Sequence, residues 1–244
     1  FGCCDKQTDY WIRVFRKEGC VVIEDITQTL FDKRDNKLGA DYYVASLRKW
    51  FAIPAGGWLG KTVGNLSVKP DEPGDEKTES VIRGMNQKAK YIAGESDDKK
   101  SYIVDLSGFE EWLVLLNCKT QIDKISESLL HQVDISKIIE QQKKNAGYLY
   151  GRLHDIEGIE IVNSYSDCEK KCPLYMPILL SHDKRNILQS ELEKQGIYCP
   201  VTWSERMGAS SGIRDRELSL ICDYRYTEQD MERIAAVVLA VLES

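Results

Sequence analysis

The sequence predicts an α/β fold: part of a large, mainly parallel sheet, long connecting helices, and a small C-terminal α/β domain. Three observations predict it. Short runs rich in β-branched residues alternate with polar segments near the start of the chain. Apolar residues recur at helical spacing through its middle. After Gly158, short apolar runs return with helical stretches between and after them. We divide the chain into 1–130, a large-domain portion with connecting helices, and 131–244, the small domain.

The elements follow in order. Thr8 to Glu18 places Tyr10, Trp11, Val14 and Phe15 on one helical stripe, and Gly19 closes it. Cys20-Val21-Val22-Ile23 reads as a short buried strand, parallel to its neighbours and ending at Glu24-Asp25. Tyr42 to Ala45 forms a second strand ending at Ser46. Trp58 to Val63 forms a third, after Gly56-Gly57. The stretch 65–100 is polar, with a loop signal at Asp71 to Glu76 and helical character in much of the rest. Leu106 to Val133 and Ile135 to Leu153 read as amphipathic helices. Beyond Gly158, strands are expected at 159–162, 174–180, 197–201 and 217–222. Helices are expected at 185–195 and 227–242, the last opened by a Thr227/Asp230 capping box.

Composition narrows the function classes. The chain has 244 residues, 42% hydrophobic and 30% charged, with a net charge of −6. That acidic balance argues against a nucleic-acid binder or an anionic-membrane binder, both of which need a basic face. No apolar run reaches the length of a bilayer span. The first residue is Phe, and no charged then apolar leader follows it, so the reading includes no signal peptide and a cytoplasmic location. The eight cysteines read as reduced thiols. Cys168, Cys172, Cys199 and Cys222 lack the spacing of a compact zinc knuckle, so no metal is assigned.

In a parallel sheet, ligands gather at the carboxyl ends of the strands. The first strand delivers Asp25, with Gln28 three residues on; the second delivers Ser46, with Lys49 three residues on. A lysine amine condenses with an aldehyde. A carboxylate keeps a pyridine nitrogen protonated, so that the ring accepts electrons. A hydroxyl binds phosphate, and an amide approaches the ring oxygen. This set suits pyridoxal 5'-phosphate. Singly, each residue has an ordinary reading: Asp25 as a loop residue, Lys49 as a solvated surface lysine. The joint order Asp-x-x-Gln, strand, Ser-x-x-Lys, Gly-Gly carries the weight.

Val21 to Gln28 and Asp41 to Trp50 resemble the corresponding segments of fold-type I pyridoxal-phosphate enzymes. They are most similar to the DegT/DnrJ/EryC1/StrS sugar aminotransferases, then to class V aminotransferases. Pro173 to Ile178, Gln195 to Trp203 and Asp223 to Met231 resemble that family's small domain. The resemblance implies an aspartate aminotransferase-type fold and amino transfer between an amino acid and a keto sugar or other small oxo compound. It also implies a homodimer. It makes Lys49 the Schiff-base lysine and proton shuttle, Asp25 the partner of the pyridine nitrogen, Gln28 the neighbour of the ring hydroxyl and Ser46 a phosphate contact. The Ser-to-Lys spacing is shorter than is common in the sugar enzymes, and Arg48 stands where class V enzymes often have His. In the family, earlier strands, a phosphate loop and a stacking aromatic precede the Asp-x-x-Gln strand. Too few residues precede Gln28 to hold them. The expectation is therefore a C-terminal portion that binds the cofactor weakly or not at all by itself.

Arg225 is a candidate carboxylate clamp for the amino donor, because a guanidinium forks onto a carboxylate. A structural salt bridge is its alternative. Trp203 is a candidate cleft residue or a core tryptophan. His131, His154 and His182 have no adjacent metal-ligand pattern. Gly60-Lys61-Thr62 resembles part of a P-loop, but Ala55 stands where the first glycine belongs. A Ser-x-x-Lys acyl hydrolase would need further motifs that the chain lacks. The reading from another class is a non-catalytic remnant or regulatory module on the same scaffold.

Overall fold

The computed structural model describes residues 7–32, 39–71, 75–115, 120–164, 171–202 and 211–243. Two compact units emerge. One comprises Phe15–Thr27 and Gly39–Val133; the other comprises Phe1–Val14, Gln28–Leu38 and Asp134–Ser244. The second unit thus recruits short segments from the N-terminal region as well as the C-terminal half.

Helix α1 (Thr8–Lys17) ends in a Schellman motif. Gly19 has φ of 72°, its N–H donates to Arg16 O, and Cys20 N–H donates to Phe15 O. The first unit carries a three-stranded sheet, β1 (Ile23–Asp25), β2 (Tyr42–Ser46) and β3 (Gly57–Lys61). β1 and β2 are parallel, as expected. β3 is antiparallel to β2, a departure within the mainly parallel sheet expected. A direct return from β2 to β3 needs only a short connection, whereas a parallel one needs a crossover of a dozen or so residues. At the other end, Asp41 staples β1 to β2. It accepts from Val22 N–H and from the Arg16 guanidinium, and these contacts lower its pKa, the Val22 hydrogen bond most. The first strand is not buried: Val21 is 66% and Ile23 63% exposed, so the face that these alternate residues share is left uncovered.

Helices α2 (Asp75–Ile92) and α3 (Lys99–Leu115) pack on each other. A forked ion pair from Arg83 to Asp105 links them, at 2.8 and 2.6 Å. The predicted long segment from Leu106 to Val133 divides into the end of α3 and a separate α4 (Lys124–His131). Asp123 caps α4 by accepting from Ser126 N–H.

The second unit is built around α5 (Ile135–Leu153), as predicted. Its sheet is antiparallel: β4 (Glu160–Ile161), β5 (Tyr175–Leu179) and β6 (Glu217–Ile221). Helices α6 (His182–Lys194) and α8 (Glu228–Glu243) complete the core; α7 (Ser211–Arg214) is a single turn. Leu149, Met176, Ile178, Leu188, Leu220 and Val238 are all fully buried there. β4 is shorter than predicted for a local reason. Pro177 accepts from Val162 N–H but has no N–H to return, so the ladder stops there. Residues 197–201 form no strand. One backbone–backbone bond, Ser219 N–H to Pro200 O, joins them to β6, and Pro200 again lacks the donor a ladder requires. Thr227 and Asp230 form the expected capping box at α8.

Candidate active site

The parallel pairing of β1 and β2 brings their carboxyl ends to one edge. Asp25 is in register with Val44, two residues before Ser46. The chain then tightens into a 3-10 turn, Leu47–Lys49, which carries Lys49 out of the strand. Thr27 binds the two ends together. Its hydroxyl accepts from Ser46 N–H at 2.9 Å, and its carbonyl accepts from the Trp50 indole N–H. Trp50 is buried, so the residue after Lys49 is anchored in the core.

The direction of β3 brings Gly56-Gly57 to this same edge. Ser46 pairs with Gly57, and Leu47 N–H donates to Gly56 O. Gly56 has φ of 147°, and a Cβ there would lie 3.0 Å from Ile53 Cδ1 and 3.1 Å from Ile122 Cδ1. Backbone and packing both demand glycine at the position that fastens the lysine turn. The sequence signal was the Gly-Gly pair; its role depends on an antiparallel return that sequence reading did not supply.

The side chains are placed as follows. Asp25 is exposed; Oδ1 accepts from Thr27 N–H, and Oδ2 takes no hydrogen bond among the described residues. Ser46 is half-buried, and its hydroxyl makes no cap bond to the turn. Lys49 is exposed and has no hydrogen bond or ion pair among the described residues. Gln28 is half-buried, with a buried Oε1 that has no hydrogen-bond partner among the described residues. The structure thus brings Asp25, Ser46 and Lys49 to one edge, with Gln28 three residues beyond Asp25. An open carboxylate oxygen and an open primary amine there can hold a ring N–H and condense with an aldehyde.

Sequence reading gave Arg48 no role. The structure places it between two groups from α3. Its Nη1 lies 2.8 Å from Glu110 Oε1, and its Cζ lies 5.2 Å from the Phe109 ring centroid. The Glu110 carboxyl is held below the usual carboxylate range, first by its hydrogen bond from Arg48 and to a lesser degree by the charges of Arg48 and Lys49. Glu110 is 62 positions from Arg48, and no local pattern predicted the pairing.

Arg225 lies in the other unit. Its Nε and Nη2 form a fork on Asp223 at 2.8 and 2.6 Å, and this hydrogen bonding raises its pKa. The α5 side chains hold the backbone around it. Asn145 donates to Asp223 O and Tyr226 O, and Gln142 accepts from Tyr224 N–H. Trp203, Cys3, Cys4, Cys118 and Cys168 lie outside the described residues. Cys172, Cys199 and Cys222 are buried and in no disulfide among the described residues. Burial pushes Cys172 up to about 12 and Cys199 up to about 11, which disfavours the thiolate a metal needs. No cluster of three metal-ligating side chains occurs among the described residues. Gly60 and Lys61 lie within strand β3 and no helix follows Thr62 directly, unlike a P-loop. No helix among the described residues is long and apolar enough to cross a membrane.

No family model matches the sequence, and no curated protein matches it. Solved structures do match the fold. The aminotransferase TlmJ from Streptoalloteichus hindustanus matches with a TM-score of 0.61 and 12% identity, over 100% of this chain and 64% of that one. A DegT DnrJ EryC1 StrS aminotransferase from Brucella abortus matches at 0.63 and 15%, over 98% of this chain and 62% of its own. This chain has the fold of the fold-type I aminotransferases. DesI, solved in the presence of its TDP-sugar product, matches at 0.60 and 14%, over 99% and 60%. The chain therefore spans less than two thirds of the length of each of these aminotransferases.

Proposed function

We propose that this chain carries the lysine-bearing side of a pyridoxal 5'-phosphate site. That site serves amino transfer from a small amino donor to a keto sugar or another small oxo compound. The observation that carries the reading is the placement of Asp25 and the Ser46–Lys49 turn at one sheet edge, in an aminotransferase fold. The TDP-sugar product of DesI supports a nucleotide-bound keto sugar as acceptor.

The residues present fit the cofactor. The buried Oε1 of Gln28, without a hydrogen-bond partner among the described residues, marks an amide awaiting a polar neighbour, and the ring hydroxyl suits it. Asp25 has an oxygen available for the pyridine N–H. Ser46 has a hydroxyl available for the phosphate. Lys49 presents an amine for the aldehyde. The cofactor, when bound, supplies an electron sink for a substrate carbanion. The chain's own work is then threefold. Asp25 keeps the ring nitrogen charged, Gln28 and Ser46 orient the ring, and Lys49 carries the proton from the donor Cα. Arg225 enters as a carboxylate contact through Nη1, since Nε and Nη2 are on Asp223. The cofactor lies in 1–130, in a cytoplasmic homodimer, and a further segment completes its phosphate cradle. A non-catalytic module on this scaffold is the second reading, favoured by the exposure of Asp25 and Lys49.

Trapping tests the choice. The chain is incubated with pyridoxal 5'-phosphate, reduced with borohydride and mapped by mass spectrometry. Lys49 is expected to take a larger share of label than any other lysine, and Asp25→Ala is expected to remove that preference. Label spread evenly over the surface lysines, or a preference indifferent to Asp25, would overturn the catalytic reading.

A further inference from the structure

A catalytic amine needs a fixed root and a mobile tip. Lys49 sits between two side chains that are themselves held. Trp50 after it is buried and bonded to Thr27 O. Arg48 before it is held by α3, through Glu110 at 2.8 Å and across the Phe109 ring. Phe109 is 3% exposed and stacked on Trp112, so the ring under Arg48 is a rigid surface.

In a 3-10 turn, successive side chains leave the axis about 120° apart. Holding residues 48 and 50 therefore sets the direction in which residue 49 departs. Lys49 itself, exposed and with no hydrogen bond or ion pair among the described residues, keeps its four-carbon reach, and only its charge is felt at Glu110. The ion pair to Glu110 is a poor stabiliser by itself, because the Glu110 side chain is 61% exposed. Its value lies in where it holds the guanidinium. It also sets charge: a cation sits next to Lys49, and an anion balances it.

We propose that Glu110, acting through Arg48, is a positioning residue that sets the direction and charge surroundings of the Lys49 amine. This inference rests on the lysine role proposed above, but it can be tested without the cofactor.

The test is competitive acetylation of the folded chain with acetic anhydride, reading the rate at Lys49 against the other lysines. Glu110→Gln leaves the Arg48 charge unbalanced beside the amine, which favours the neutral, reactive form. Arg48→Gln leaves the Glu110 charge unbalanced, which favours the ammonium. The relative rate at Lys49 is expected to rise about threefold in the first variant and to fall about threefold in the second. The reversed pair, Arg48→Glu with Glu110→Arg, should lie closer to the unsubstituted chain than Arg48→Glu alone. A merely structural role would loosen the turn and move both single variants the same way. Equal direction, or no change in either, would overturn the proposal. Failure of pyridoxal phosphate to prefer Lys49 would instead sink the cofactor reading and leave the acetylation result to decide this one.

Discussion

The apolar run that forms β5 and the one that leads into β1, Cys20 to Ile23, meet opposite fates. In β5, Met176, Pro177 and Ile178 are buried under α5, α6 and α8. At β1, Val21 and Ile23 are more than half exposed. A sheet gains stability by having its faces covered, and it is the C-terminal sheet that packs into the large buried cluster. The comparison teaches that stability and candidate chemistry are divided. The C-terminal unit carries the largest buried cluster, while the acid and the amine stand at the exposed edge of the other sheet.

The sharpest way to break that contrast is truncation on each side. Leu220→Ala empties a fully buried site and is expected to cost about 2–5 kcal/mol. Ile23→Ala removes a side chain that is mostly in water and is expected to stay within about 0.5 kcal/mol. Denaturant unfolding of both variants measures the gap, and equal losses would erase the distinction.

Gly56 tests how strict the packing is beside the lysine turn. Gly56→Ala forces a Cβ against Ile53 and Ile122 at an unfavourable φ, with an expected cost of about 1–3 kcal/mol. The same change should reduce label at Lys49, since Gly56 O receives the Leu47 N–H at the start of the turn. A variant with full stability and unchanged labelling would show that the loop has slack.

The smallest effect concerns the surface of the packed unit. Tyr148 and Arg152 on α5 hold Glu232 on α8, and the Arg152 and Tyr148 hydrogen bonds bring its carboxyl from 4.5 down to about 2. A depressed carboxyl contributes stability above its ordinary value and loses it as pH falls through the folded value. Glu232→Gln should therefore lower the thermal midpoint modestly at neutral pH. Its difference from the unsubstituted chain should shrink as pH falls from 4.5 towards 2. A difference independent of pH would assign the contact to packing rather than charge.

These elements also separate what could be read in advance. Residue order and composition by themselves determined α1 with its Gly19 stop, α5 from Ile135 to Leu153, and the capping box of α8. They also set the chain order of Asp25, Gln28, Ser46 and Lys49. Such features depend on bonds between residues a few positions apart, whose spacing is written in the chain. Tertiary structure alone decided that β3 runs antiparallel, that β1 is exposed, that Asp223 takes the Arg225 fork, and that Glu110 reaches Arg48. The strand pairing, the exposure and the Glu110 contact depend on which distant segments come together. The Arg225 fork joins near neighbours, but the direction a side chain takes follows from the packed backbone around it rather than from residue spacing.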